Sequence, residues 1–128
     1  MDEHNKISGI IVDRAMKVHT ALGPGLLESV SQRILDYELR KAGLSVETEV
    51  PIPVEWDGNQ IDVSFRADLV VEGLVLVELQ SSRGDLGRPQ ETDLHLHEAR
   101  QSPPGLLINF GAPMLKDGIH RIVNQLPE

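Results

Sequence analysis

Apolar residues recur at helical spacing from the start of this chain. Ile7, Ile11, Ala15, Val18 and Leu22 predict an amphipathic helix over residues 5–21, stopped by Gly23-Pro24-Gly25. A second helix is predicted from Leu26 to Ala42. Leu27, Val30, Ile34, Tyr37 and Lys41 line one stripe, Leu35 and Leu39 widen it, and Gly43 suits the position just past its end. The period then changes to two. Val46 to Trp56 predicts a strand, placed at an edge or a bulge by Pro51 and Pro53. Asp57-Gly58 is a hairpin turn signal, and Ile61, Val63 and Phe65 alternate after it. Residues 66–80 predict a further hairpin turning at Glu72-Gly73. Its second arm, Leu74 to Leu79, is nearly all apolar, as in a central strand covered on both faces. Leu106 to Phe110 predicts another buried strand, and Gly118 to Asn124 a last one. The result is an α/β domain: two helices, three strands, an unassigned stretch, two strands.

The unassigned stretch, Gln80 to Pro104, departs from the rest. It holds no Lys, Val or Ile, and Leu86, Leu94, Leu96 and Ala99 fit neither period. Pro89, Pro103 and Pro104 interrupt any long helix, so irregular backbone is expected, with a helix around Glu91–Arg100 the one regular element its propensities allow. A loop of this length is unusual in a compact domain. His95-Leu96-His97-Glu98 is too short a pattern to assign a metal. His19 follows the first helix's stripe and predicts a packed or capping imidazole. Trp56, beside Asp57-Gly58, predicts packing at the hairpin end, stacking on a base being the other use of a lone aromatic.

The length of 128 residues fits one domain with one core. Apolar residues make up 40% but aromatics only 3%, so Leu, Ile and Val build that core. The absence of Cys excludes a disulfide frame, a thiolate nucleophile and a Cys-ligated metal. The opening MDEHNKISGI is acidic and polar, unlike a signal peptide, and no apolar run is long enough to span a bilayer. A soluble cytoplasmic protein without a membrane partner is expected. A net charge of −8 weighs against tight non-specific nucleic-acid binding. It does not exclude a nuclease, because clustered carboxylates meet phosphate through a metal.

The predicted hairpin carries one acid on each arm, Asp68 and Glu78. With a two-residue turn at Glu72-Gly73, Asp68 lies opposite Val77; with one extra residue it lies opposite Glu78. Both registers put the carboxylates on neighbouring strands. Two carboxylates and a main-chain carbonyl make a hard oxygen site suited to Mg²⁺ or Mn²⁺, which would polarise a phosphoryl group and generate hydroxide. Many metal-dependent nucleases carry an Asp, a turn, then Glu-x-Lys, the Lys stabilising charge in the transition state. Here that position holds Gln80, on the same strand face as Leu76 and Glu78. The plainer reading of the two acids is solvation, or pairing with an arginine such as Arg66. Glu28 and Ser31 stand three apart at the start of the second helix and are expected to share a face. Glu28 is either a third acid aimed at the metal or a first-turn carboxylate favoured by the helix dipole.

Across nearly its whole length the chain resembles the GxxExxY family, a branch of the PD-(D/E)xK nucleases. The resemblance rests on Leu22-Gly23-Pro24-Gly25-Leu26-Leu27-Glu28, Glu38-Leu39 to Gly43-Leu44, Pro51-Ile52-Pro53-Val54, Arg66-Ala67-Asp68-Leu69-Val70-Val71-Glu72 and Val75-Leu76-Val77-Glu78-Leu79. It continues through Gly105-Leu106-Leu107-Ile108-Asn109-Phe110-Gly111 and Leu115 to Val123. It implies a restriction-endonuclease-like core, two N-terminal helices against a mixed β-sheet, and it places Glu28, Asp68 and Glu78 on the family's acidic positions. Mg²⁺ or Mn²⁺ as cofactor and DNA or another nucleic acid as partner follow from it; a homo-oligomer stays open.

Three positions depart from the family pattern. Its Tyr is Ser31, its Lys is Gln80, and its Q-x-x-x-Y-L helix before Gly105 is missing. A shifted reading frame accounts for the last two together. With synonymous codons chosen to permit it, residues 80–104 back-translate to a string that, with its first base removed and a G added at its end, reads KAVEETLAARKKQIFTYMRLAKAPL. This restores E-L-K and Q-x-x-x-Y at family spacing. The alternative is a natural, divergent segment with an inactivated site. The expectation is therefore a hydrolase of phosphodiester bonds, inactive or impaired here because Gln80 replaces the Lys. The competing class is a non-catalytic module that binds nucleic acid or protein on a nuclease fold.

Overall fold

Two helices, α1 (Glu3–Leu22) and α2 (Glu28–Lys41), precede a five-stranded sheet. Its strands are β1 (Val46–Trp56), β2 (Asn59–Val71), β3 (Val75–Gln80), β4 (Gly105–Asn109) and β5 (Ile119–Ile122), and a 3-10 turn, Leu115–Gly118, leads into the last. The computed structural model describes residues 3–82 and 105–122, apart from the side chains of residues 54, 55 and 62–65. The strand order is β1-β2-β3-β4-β5. β3 and β4 run parallel and the other neighbours antiparallel. A parallel neighbour requires a crossover. Residues 83–104, which make that connection, lie outside the described residues, as do the helix expected at Glu91–Arg100 and His95 and His97.

Both helices pack on one face of the sheet. Ile7, Ile11, Ala15 and Val18 of α1 and Leu35 and Leu39 of α2 meet Leu69, Val71, Val75, Val77, Leu79, Leu106 and Ile108. On the other face Ala67, Val70 and Leu76 cluster with Val50 and Ile52. β3 is buried from Val75 to Leu79, as a central strand should be. β1 is the edge strand that its prolines announced, and its register shifts between Pro53 and Val54.

The stripe on α2 is corrected by one position. Leu27, Val30 and Tyr37 are 71%, 38% and 62% exposed, and the buried residues are Ser31, Leu35, Glu38 and Leu39. One residue along a helix is a turn of about 100°. The pattern misleads because α2 also buries a carboxylate. Lys17 Nζ lies 3.0 Å from Glu38 Oε1, and Arg14 Nη1 lies 3.9 Å from it. A charged side chain enters a buried face when it is paired. The hydrogen bond from Lys17 holds the Glu38 carboxyl below its ordinary value of 4.5, against the opposing effect of burial, with Lys17, Lys41 and Arg14 adding charge attraction. The tether therefore contributes stability above pH 4.5 and loses it as pH falls through the lower folded-state value. Glu38→Gln is expected to melt below the parent at neutral pH, with the two melting curves converging under acid. A gap that persists at the lowest pH of the titration contradicts this assignment.

The helix and turn ends follow their glycines. Gly43, at φ 92, closes α2: its N–H donates to the Arg40 carbonyl at 2.9 Å, and Leu44 N–H donates to the Leu39 carbonyl at 3.1 Å. This is a Schellman motif. Asp57 and Gly58, at φ 54 and 78, make the two-residue turn between Trp56 and Asn59. Trp56 does not pack at the hairpin end; it is 67% exposed. His19 does pack: its Nε2 lies 2.8 Å from the Ala112 carbonyl and ties the end of α1 to the segment after β4. The last strand starts at Ile119, one residue after Gly118, because Leu115–Gly118 wind into the 3-10 turn first; residues 123 and 124 lie outside the described residues. Gly118 permits that approach, since a Cβ there would lie 2.6 Å from the Asn109 carbonyl oxygen.

Candidate functional site

Strand register brings Asp68 to Glu78. Val71 pairs with Val75, Val70 with Leu76 and Leu69 with Val77, so one further step sets Asp68 opposite Glu78. Of the two registers open to the sequence, the longer loop holds. Leu74 is the extra residue, its N–H donating to the Val71 carbonyl at 3.0 Å, with Glu72 and Gly73 at φ 56 and 66. The ladder ends at Leu69 and Val77. Beyond it the Asp68 carboxylate takes over: Oδ2 accepts the Leu79 N–H at 2.7 Å. The acid thus rests on the β3 main chain one residue from Glu78.

β1 breaks at the same level. Its ladder with β2 passes from Thr48–Leu69 to Val50–Ala67 and skips the step of Glu49 and Asp68, where Glu49 has φ 54. Faces exchange across the break: Leu69 packs under the helices, whereas Ala67 and Val50 join Val70 and Leu76 on the far side. A left-handed conformation is costly for a non-glycine residue, of order 1–2 kcal/mol. Two contacts hold Glu49 there, from Gln32 Nε2 at 3.0 Å and Arg66 Nη1 at 3.1 Å. They keep its carboxyl below the ordinary range, the Gln32 bond first and Arg66 next. Arg66, offered by the sequence as a partner for Asp68 or Glu78, is shown paired with Glu49.

Glu78 is buried, 9% exposed, and adjoins Leu107 of β4. Gln80 is half-buried at the end of β3 opposite Asn109, and its carbonyl accepts the Phe110 N–H at 2.8 Å. Glu28 opens α2 and is exposed, whereas Ser31 is fully buried, so the two do not share an environment. Among the described residues no group of three or more His, Asp or Glu side chains is placed to hold a metal, so Glu28 does not close a cage with Asp68 and Glu78. Mg²⁺ needs no such cage. It commonly takes one or two carboxylates and completes its shell with water and phosphate oxygens. The donor set of Asp68, Glu78 and strand carbonyls fits it.

Ser31 Oγ has no hydrogen-bond partner among the described residues. An unmet buried hydroxyl destabilises, so Ser31→Ala is expected to raise stability by about 1 kcal/mol. A urea midpoint that falls in Ser31→Ala shows that the hydroxyl is in use.

Two further residues were missed in the sequence. Glu49 was hidden because a left-handed break leaves no mark in an alternating strand. Asn109 left a signal: a lone amide inside the apolar run Leu106–Phe110, where a buried polar group needs partners.

Two helices on a mixed sheet, with an acid held at the β3 backbone beside a second acid, define a nuclease-like α/β domain. A family model described as the PD-(D/E)XK nuclease superfamily matches residues 5–122, and the chain belongs to that superfamily. No curated protein and no solved structure matches the chain. None of the described helices is long and apolar enough to cross a membrane.

Proposed function

We propose that this chain is built around a Mg²⁺- or Mn²⁺-dependent nuclease site and is impaired as written. The observation that carries the reading is the Asp68 carboxylate, held on β3 one residue from Glu78 in a chain of this superfamily. Asp68 and Glu78 are the residues that would hold the ion. When bound, the ion polarises a phosphoryl oxygen and lowers the pKa of a coordinated water. The Leu79 N–H fixes the orientation of the Asp68 carboxylate, and burial withdraws Glu78 from bulk water. The side chain at position 80 shares the strand face of Glu78. A cation there would stabilise charge growing on the phosphoryl oxygens; Gln80 can donate a hydrogen bond but supplies no charge.

The substrate class is nucleic acid, as the superfamily implies. Placement in the GxxExxY branch rests on the segments from Leu22-Gly23-Pro24-Gly25 to Leu115–Val123. Residues 80–104 are proposed to be an out-of-frame translation, because a pair of compensating frame changes, a base gained at codon 80 and a base lost near codon 104, restores the Lys, the Gln and the Tyr together.

Mn²⁺ titration of the parent, Asp68→Asn and Glu78→Gln, followed by paramagnetic resonance, tests the site. Either substitution is expected to weaken binding about tenfold or more. Binding indifferent to both removes the site. Robust cleavage of DNA or RNA by the chain as written, abolished by Glu78→Ala, refutes the impairment. A second reading, a binding module that kept the fold and lost the chemistry, is favoured by Gln80 and the net charge of −8. It predicts nucleic-acid or protein binding without cleavage even after position 80 is restored to lysine.

A further inference from the structure

The chain leaving β3 is gripped by one buried amide. Asn109 is 1% exposed on β4 and lies opposite Gln80. Its Oδ1 accepts the N–H of Ser82 at 3.0 Å and that of Gly111 at 2.9 Å, and its Nδ2 donates to the Ser82 carbonyl at 2.9 Å. The side chain thus bonds both main-chain groups of residue 82, much as a neighbouring strand would. Gly111 lets the two segments meet, because a Cβ there would lie 2.7 Å from Ser82 N and O and 2.8 Å from Ser81 C. Phe110 N–H to the Gln80 carbonyl, at 2.8 Å, completes the grip. Each of these bonds meets the main chain of residues 80–82. They do not depend on which side chains those residues carry.

We propose that Asn109 is a positioning residue: by fixing the main chain of residues 80–82 it holds the side chain at position 80 on the face of Glu78. This deepens the nuclease reading and rests on it for its purpose, since position 80 is where that reading needs a cation. A strand whose last residue is followed by unheld chain can let that residue turn away, and a misplacement of about 1 Å is costly to a reacting group. β3 ends at Gln80, in register with Asn109, and the clamp on Ser82 pins the chain two residues beyond that last ladder step, so that it does not fray.

The absence of cysteine permits a test that needs neither metal nor cleavage. A thiol introduced by Gln80→Cys can carry a nitroxide label, whose mobility is read by paramagnetic resonance. Held on the strand by the clamp, the label is expected to give an immobilised spectrum. Asn109→Ala, which removes the clamp, and Gly111→Ala, which pries the segments apart while keeping the Asn109 side chain, are each expected to shift that spectrum towards the mobile form in a chain whose circular dichroism is unchanged. A mobile label in Gln80→Cys alone, or an immobilised one that neither second substitution moves, overturns the proposal. If neither double variant folds, amide exchange in the unaltered chain decides. Slow exchange at Ser82 and Gly111 supports the clamp, and exchange at free-peptide rates overturns it. The Mn²⁺ titration judges the acid pair separately, so a clamp-dependent label with no ion binding keeps the clamp and discards the nuclease reading.

Discussion

Replacing residues 80–104 by KAVEETLAARKKQIFTYMRLAKAPL is expected to convert this chain into a Mg²⁺-dependent nuclease, about 10²–10³-fold faster than the chain as written. The gain follows from one charge. Position 80 shares the strand face of Glu78, whose neighbour Leu79 donates its N–H to Asp68 at 2.7 Å. A lysine there places an ammonium where negative charge grows on the phosphoryl group, and a preorganised cation in a water-poor site acts mainly on the transition state. Gln80→Lys alone is expected to recover part of that factor, because the rest of the replaced segment stays unrepaired. Cleavage of single- and double-stranded DNA and RNA, with and without a chelator, is the measurement. Chelation, Asp68→Asn or Glu78→Gln must each silence the repaired chain. A repaired chain that is soluble, binds Mn²⁺ and cleaves nothing rules out the nuclease reading and leaves the binding module. Resequencing the gene across codons 78–106 tests the frame directly.

The repaired chain is also expected to melt at a higher temperature. As written, Leu86, Leu94, Leu96 and Ala99 share no helical or strand period, and three prolines punctuate the segment. The shifted string places Leu, Ile, Met and Ala at successive steps of seven, four and three, which one face of a helix can bury. Burying that face against the sheet is what stabilises such a helix. A net gain of only about 1 kcal/mol moves the melting temperature by about 2–8 °C. Thermal melts of the two chains side by side settle the matter. If the chain as written melts at or above the repaired one, the frameshift reading loses its physical support.

Particular elements show what could be read in advance. α1, the Asp57-Gly58 turn, the edge position of β1 and the buried run of β3 were legible because each rests on a local rule: a period, a turn residue, a proline. The inner face of α2 was legible only in part: Leu35 and Leu39 lie on it and Ile34 packs against the core, whereas buried Ser31 and Glu38 do not follow from the pattern. Burial of Glu38 depends on Lys17 and Arg14, one helix away in the chain, and no pattern within α2 announces them. The acid pair was legible as a pair, but its register was open until Leu74 entered the turn. Arg66 went to Glu49 because the break in β1 turns that carboxylate towards it and towards Gln32.

The sequence by itself determined the element order, the absence of any thiol chemistry, the two acids at Asp68 and Glu78, and the substitution at Gln80. These are properties of composition, spacing and local backbone preference, which a chain carries before it folds. Only the tertiary structure decided how those acids are held: Asp68 at the Leu79 N–H, Glu49 in a left-handed break beside it, and Asn109 across the exit of β3. The reason is physical. A carboxylate or amide takes its partner from whatever main chain the fold brings within about 3 Å, and those main-chain groups lie eleven or twenty-seven residues away in the sequence.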